Sequence, residues 1–258
     1  AGARAPGMSS EAVEHWWADA PGGRPYYHAA EAGLPVLALL RYAALEPDYG
    51  RRDAALELAA RAVSSELSVT GAVANPFGYA RQYTAERGGA ARSSFFIPHR
   101  NETGYWWQGE NARLASLAAA ALRAAVPGGR APAFPATTLP ADAGRLDPAA
   151  MRRYAYDQLD WILGRNPFDV CMLDGVGRNN PEYETAYPNA PGGICNGITA
   201  GFDEEDDIAF LPEPAASSPL HRWRWSEQWI PHAGWFLLAV TLSARSSGEP
   251  GQSGSNRS

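Results

Sequence analysis

From residue 164 to residue 225 the chain carries no sustained helical or strand periodicity, yet strongly helical segments flank it on both sides. Irregular stretches beyond about 15 residues in a compact domain are usually functional or disordered. This one is rich in aromatic side chains, which argues for order over a core. A helical scaffold that supports one long, organised loop is therefore the frame into which the remaining features must fit.

The helical segments are read from apolar spacing and from start and stop residues. A first begins around Ser9, where Ser9 and Ser10 can cap EAVEHWW. Residues 27–45 form a second, with a break or kink expected at Gly33 and Pro35. Pro47-Asp48 opens a third, to about Leu67, and the stretch 68–102 reads as loop with a short apolar island at 95–97. A long helix is expected over 104–126 and a Pro/Gly/Ala-rich connection over 127–147. Pro148 sits well at the first position of the next helix, which Gly164, Asn166 and Pro167 end. The last helix is expected over 229–243, and GWFLLAVTL within it reads as buried nearly all round. No convincing β-alternation occurs, so the fold class is all-α. Residues 1–8 read as linker, 9–245 as one domain and 246–258 as a disordered tail.

Composition narrows the partners. Of 258 residues 45% are hydrophobic, enough for a sizeable core. Net charge is −6, from 28 acidic and 22 basic side chains, all of them Arg. Without a basic run, nucleic acid and anionic membrane are poor partners. Without Lys, neither a Schiff base nor a phosphate-loop lysine is available. No apolar run reaches transmembrane length. Cys171 and Cys195 can pair in an oxidising compartment or stand as two separate buried thiols. A secreted or periplasmic setting is the expectation.

Aromatic residues cluster with polar neighbours at 105–111, at 223–229 and in the Asn/Gly/Tyr loop at 175–197. A flat indole face beside amides, carboxylates and guanidinium groups suits the apolar C–H face and hydroxyl rim of a sugar. Such Trp residues equally fill cores. Glu227, between Trp225 and Trp229, is the leading candidate for a general acid, because aromatic flanks can keep a carboxyl protonated near neutral pH. An exposed Glu complementing a helix dipole is the competing reading. Gln228 and His232 are candidate ligand hydrogen-bonders. The run Asp203-Glu204-Glu205-Asp206-Asp207 offers oxygen ligands for Ca²⁺, with Asp203, Asp206 and Asp207 as candidates, but lacks the spacing of an EF-hand loop; a solvated acidic loop competes.

Four segments resemble glycoside hydrolase family 9. DQLDWILGRNP at 157–167 is similar to that family's helix-ending Ile-Leu-Gly-x-Asn-Pro turn. Asp174-Gly175-Val176-Gly177 and Pro181 resemble its Gly-x-Gly…Pro loop, and SEQWIPHAGWFLLAV its closing helix. YWWQGENARLASLAAAAL resembles its Arg/Asn/Ala-rich helix. The resemblance spans roughly residues 27–243 and implies an (α/α)6 toroid that hydrolyses β-linked glucans or related oligosaccharides with inversion. It implies Glu227 as the acid, with Ser226 where Asn is usual, and Trp107 and Arg113 facing or bracing the sugar site; Trp106, Arg178, Asn196, Trp225, Gln228 and His232 complete the candidate sugar-binding side chains. No cofactor is required by that chemistry, although Ca²⁺ is admitted.

Inversion needs a second carboxylate, roughly 6.5–9.5 Å from the acid, to activate water. The family's Asp-Ala-Gly-Asp motif is absent, and Asn196-Gly197-Ile198-Thr199 stands where its His-His-Arg loop would be. A divergent exo-acting branch on short oligosaccharides or amino sugars fits better than an endo-cellulase. The chain is accordingly expected to be the C-terminal half to two-thirds of a toroid, with the base Asp in a missing N-terminal part. A self-contained variant pairs Glu227 with Glu102 or Glu110, though Glu110 is also placed to serve Arg113 at i+3. Two alternatives remain: a toroid polysaccharide lyase or epimerase using His99, His232 or Tyr183 as base, and a carbohydrate-binding fragment without catalysis.

Overall fold

The computed structural model describes residues 2–3, 17–18, 31–85, 91–97, 99, 108–126, 146–183 and 188–247. Most of the ordered secondary structure is helical. Among the described residues there are six α-helices: α1 (Leu34–Ala43), α2 (Tyr49–Gly71), α3 (Asn111–Ala124), α4 (Pro148–Ile162), the single-turn α5 (Trp223–Ser226) and α6 (Ile230–Ser247). Three two-stranded antiparallel ribbons accompany them: β1 (Gly2–Ala3) with β2 (Trp17–Ala18), β3 (Gln82–Ala85) with β4 (Ala91–Ser94), and β5 (Thr199–Ala200) with β6 (Ile208–Ala209).

The core is built around α3. Every residue from Asn111 to Leu122 is buried. Its alanines at 112, 115, 118, 119, 120 and 121 let α1, α4 and α6 approach closely, while Leu114, Leu117 and Leu122 fill the space between. Each such leucine contributes about 1.5–3 kcal/mol on burial. The closest approach is where α1 begins: a Cβ at Gly33 would lie 2.0 Å from the Ser116 carbonyl oxygen, so only glycine fits, and Gly33 N–H donates to Ser116 Oγ.

Local signals set most helix limits. Asp48 and Asp147 cap α2 and α4 by accepting from Arg51 N–H (2.8 Å) and Ala149 N–H (2.9 Å). Gly164 takes φ +119 after α4, and the Asn166 amide then binds Trp161 O and Val170 O, closing the turn. Pro35 lies in the first turn of α1, so the helix begins at the expected break instead of bending across it.

Several expectations are corrected. Residues 82–85 and 91–94 are a hairpin, not loop; its strands are short and polar, and carry no apolar alternation. Trp17 pairs with Ala3 in β2, outside any helix. The long central helix starts at Asn111; residues 108–110 before it carry no regular secondary structure, and Glu110 has φ −111 and ψ 26. Helix α6 continues to Ser247, into the expected tail. The rest of that tail, residue 1 with 4–8 of the expected linker, and the connection at 127–145 lie outside the described residues.

Helix α6 is not buried all round. Ala239 is fully covered and Trp235 and Phe236 pack onto the core. Ile230 (89% exposed), Leu237 (68%), Leu238 and Val240 are open. Positions 230, 234, 237, 238 and 241 recur at helical spacing, so α6 carries an uncovered, largely apolar stripe on the side away from α3. Among the described residues no helix is long and apolar enough to cross a membrane.

Candidate functional site

Three chain segments meet at the start of α6. Residues 108–111 lead into α3, 188–197 end the long loop, and 223–229 connect α5 to α6. The Asn196 N–H donates to Glu227 O (2.8 Å) and Gly197 N–H to Trp225 O (2.9 Å), while Gly109 N–H donates to Arg224 O (3.0 Å) and Asn111 N–H to Asn196 O (3.1 Å). Side chains reinforce the joint. The Gln228 amide accepts from Ala190 N–H and donates to Ala190 O, and Asn196 Nδ2 donates to Trp223 O. Asn189 Nδ2 donates to Ser226 O. Glu227 thus sits in extended backbone clamped on both sides.

The Glu227 carboxylate is partly exposed, and its Oε2 accepts the Trp229 indole N–H at 2.6 Å. Trp229 is itself 40% exposed, so acid and indole stand together at the surface. Trp225 does not flank them as expected. It is completely buried, its indole donates to Thr199 Oγ1 (2.8 Å), and it packs against Phe202, so it offers no face to a sugar.

The other expected binding residues separate. Asn196 and Gln228 belong to the joint, but their amides are engaged in holding it. His232 is buried, with Nδ1 3.3 Å from Trp229 O, and burial lowers its pKa to about 4, so it is neutral and out of reach of solvent. Arg178 is exposed on the far part of the long loop, paired with Asp169 at 2.7 Å. Trp106, Trp107 and Glu102 lie outside the described residues.

Arg113 and Glu110 form a buried pair instead of facing a ligand. Arg113 Nε donates to Glu110 Oε2 at 2.6 Å and its Nη2 to Ala80 O, and both side chains are almost wholly buried. Burial opposes the charge of Arg113, but Glu110 and neighbouring acidic groups hold its pKa above the usual value. Glu110 also accepts from Tyr79 Oη, Gln82 Nε2 and Ile97 N–H. A carboxylate satisfied in this way is a brace, which removes Glu110 as a water-activating partner of Glu227.

Tyr79 leads to a feature that sequence reading missed. An aromatic-walled hollow of about 440 Å³ opens between the residue 74–81 loop, the β3–β4 hairpin and the acidic loop. Tyr79 and Trp161 form its floor with ring centroids 4.6 Å apart, and Phe96 lies 5.0 Å from Tyr79. Glu205, Asp206 and Asp207 also line it. Glu205 is bound by Arg92 (2.6 Å) and by His99 N–H, so the acidic run is partly neutralised by the hairpin. Among the described residues no group of three or more His, Cys, Asp or Glu side chains gathers in a metal-holding arrangement. The sequence signal for the hollow was two aromatic pairs, Phe77/Tyr79 and Phe95/Phe96, in a region that otherwise reads as loop.

Two further groups complete the picture. Cys171 and Cys195 are both buried free thiols, and burial raises the Cys195 pKa far above its ordinary value. Glu66 on α2 approaches Tyr154 Oη (3.5 Å); burial raises its pKa to about 7, opposed by the Arg113 charge and the tyrosine hydrogen bond. The chain matches no protein-family model and no curated protein.

Proposed function

We propose that this chain carries the acid-donating part of an inverting β-glycosidase site on an (α/α) toroid, acting on glucan-type or amino-sugar oligosaccharides. Glu227 protonates the departing glycosidic oxygen while water attacks the anomeric carbon from the opposite face. That water loses its proton to an aspartate supplied by a segment outside this chain. The observation that carries the reading is the placement of Glu227: a partly exposed carboxylate, hydrogen-bonded by a partly exposed indole, on a backbone clamped by two other segments. Clamping of this kind is what a proton donor needs, since its position relative to the reacting oxygen must be fixed.

The uncovered stripe on α6 supports the second half of the reading. Contiguous exposed apolar surface usually marks an interface, and the rest of a toroid would cover it. The test is hydrolysis of a β-1,4-linked oligosaccharide by the intact polypeptide containing these residues and the segment that completes the toroid. A product released as the inverted anomer and lost with Glu227→Gln supports the reading; an unsaturated product identifies a lyase, and full activity of this chain alone refutes the missing base.

A further inference from the structure

The hollow beside the β3–β4 hairpin takes no part in the chemistry assigned to Glu227, yet it is shaped for a ligand. Its volume, about 440 Å³, falls within the usual range for small-molecule sites. Its walls include the partly exposed rings of Phe77, Phe95 and Phe96. Its polar groups are of both kinds. Arg81 is buried (7% exposed) and lies with its guanidinium carbon 5.1 Å from the Phe95 ring centre. Two of its nitrogens donate to Val69 O, Ser93 O and Ser93 Oγ, while its Nε is buried with no acceptor among the described residues. A buried cationic donor left unmatched costs free energy that an acceptor from a ligand recovers. In the same lining, Asp206 is 86% exposed and 4.0 Å from Arg92, and Asp207 spends one oxygen on Ile208 N–H. Both carboxylates keep acceptor capacity for incoming hydroxyls.

We propose that this hollow is a carbohydrate-binding subsite, distinct from the acid at Glu227, that holds a pyranose ring by its apolar face against Phe95 and Phe96. The Arg81 guanidinium donates to one sugar oxygen, and Asp206 and Asp207 accept from other hydroxyls. A hydroxylated ring is the ligand class that answers all three features at once. A purely apolar ligand would leave Arg81 and the carboxylates unmatched, and an anion would meet the carboxylate rim. The choice of a β-linked glucan fragment as occupant rests on the glycosidase reading.

The experiment is calorimetric titration of the chain with cellobiose, in a Glu227→Gln background so that no turnover adds heat, with glycerol as a hydroxylated control lacking a ring face. Saturable cellobiose binding is expected, and none of glycerol. Asp206→Ala, which removes both acceptor oxygens and loosens an exposed 4.0 Å contact with Arg92, is expected to weaken binding about tenfold, the factor for one hydrogen bond of ordinary strength. Phe96→Ala should weaken it by at least as much, with a melting curve confirming that the variant is folded. No saturable binding, equal binding of glycerol, or cellobiose affinity unchanged by Asp206→Ala overturns the proposal. Since only binding is read, the proposal can fail while Glu227-dependent hydrolysis stands, and can hold while that hydrolysis is absent.

Discussion

Two titratable side chains, the half-buried Glu66 and the buried His232, pull the pH dependence of stability in opposite directions. Glu66 has a folded pKa of about 7, above the ordinary carboxylate value, so the folded state holds its proton more tightly and stability falls as pH rises from about 4.5 to about 7. His232 has a folded pKa of about 4, below the ordinary imidazole value, so stability falls as pH drops from about 6.5 to about 4. The two slopes offset one another between roughly pH 4.5 and 6.5. Glu66→Gln should therefore make the chain more stable at pH 8, by on the order of 1–3 kcal/mol, and leave stability rising with pH through the acid range. His232→Phe should leave the opposite slope. Urea melts at a series of pH values read both; parallel profiles for wild type and variants would contradict the burial assigned to these groups. The Glu110–Arg113 pair belongs to the same scale. Glu110→Ala strands a buried guanidinium and should cost about 3–5 kcal/mol, measured by the same melts; a loss below about 1 kcal/mol would place the pair in solvent.

The elements were legible where punctuation and helical period agree, and obscure where contacts from elsewhere decide. Asp48, Asp147, Pro148 and Gly164 mark helix limits in the sequence, and the structure uses all four. The β3–β4 hairpin was invisible, because its register is held by Arg81 reaching Ser93 and Val69 and by Gln82 reaching Glu110, contacts that leave no apolar alternation. Helix α6 misled in the other direction: an apolar run does not say which of its faces has a partner. Two glycines separate two costs. Gly164→Ala forces a side chain into φ +119 with only ordinary van der Waals contacts around it, the nearest at 3.7 Å, and should cost about 1–2 kcal/mol. Gly33→Ala has ordinary φ but drives a methyl group into the Ser116 carbonyl, and should cost more by parting α1 from α3. Thermal melts rank them; equal shifts would show that α1 does not press on α3.

At the scale of the whole molecule, the exposed apolar stripe on α6 is where the proposed completing segment of the toroid would dock. Leu237→Ser should change the stability of the chain alone by no more than about 0.5 kcal/mol, since the side chain is largely exposed. It should weaken association with the completing segment, as read by co-purification of the two parts; undiminished association would leave the stripe without a partner. The candidate site divides in the same way. The spacing suggested two indoles beside Glu227, and the structure places Trp229 there but not Trp225. The burial of Trp225 and the locked amides of Asn196 and Gln228 were not legible, because the spacing of a motif does not say which side of the chain faces the core.

The central claim is that the carboxyl of residue 227 delivers a proton to a sugar leaving group. Steady-state hydrolysis of a β-1,4-linked oligosaccharide by the completed domain, with Glu227→Gln beside wild type, tests it most directly. The expected result is a fall in kcat of about 10²–10⁴-fold with substrate affinity unchanged. A Glu227→Gln enzyme that turns over at the wild-type rate would contradict it.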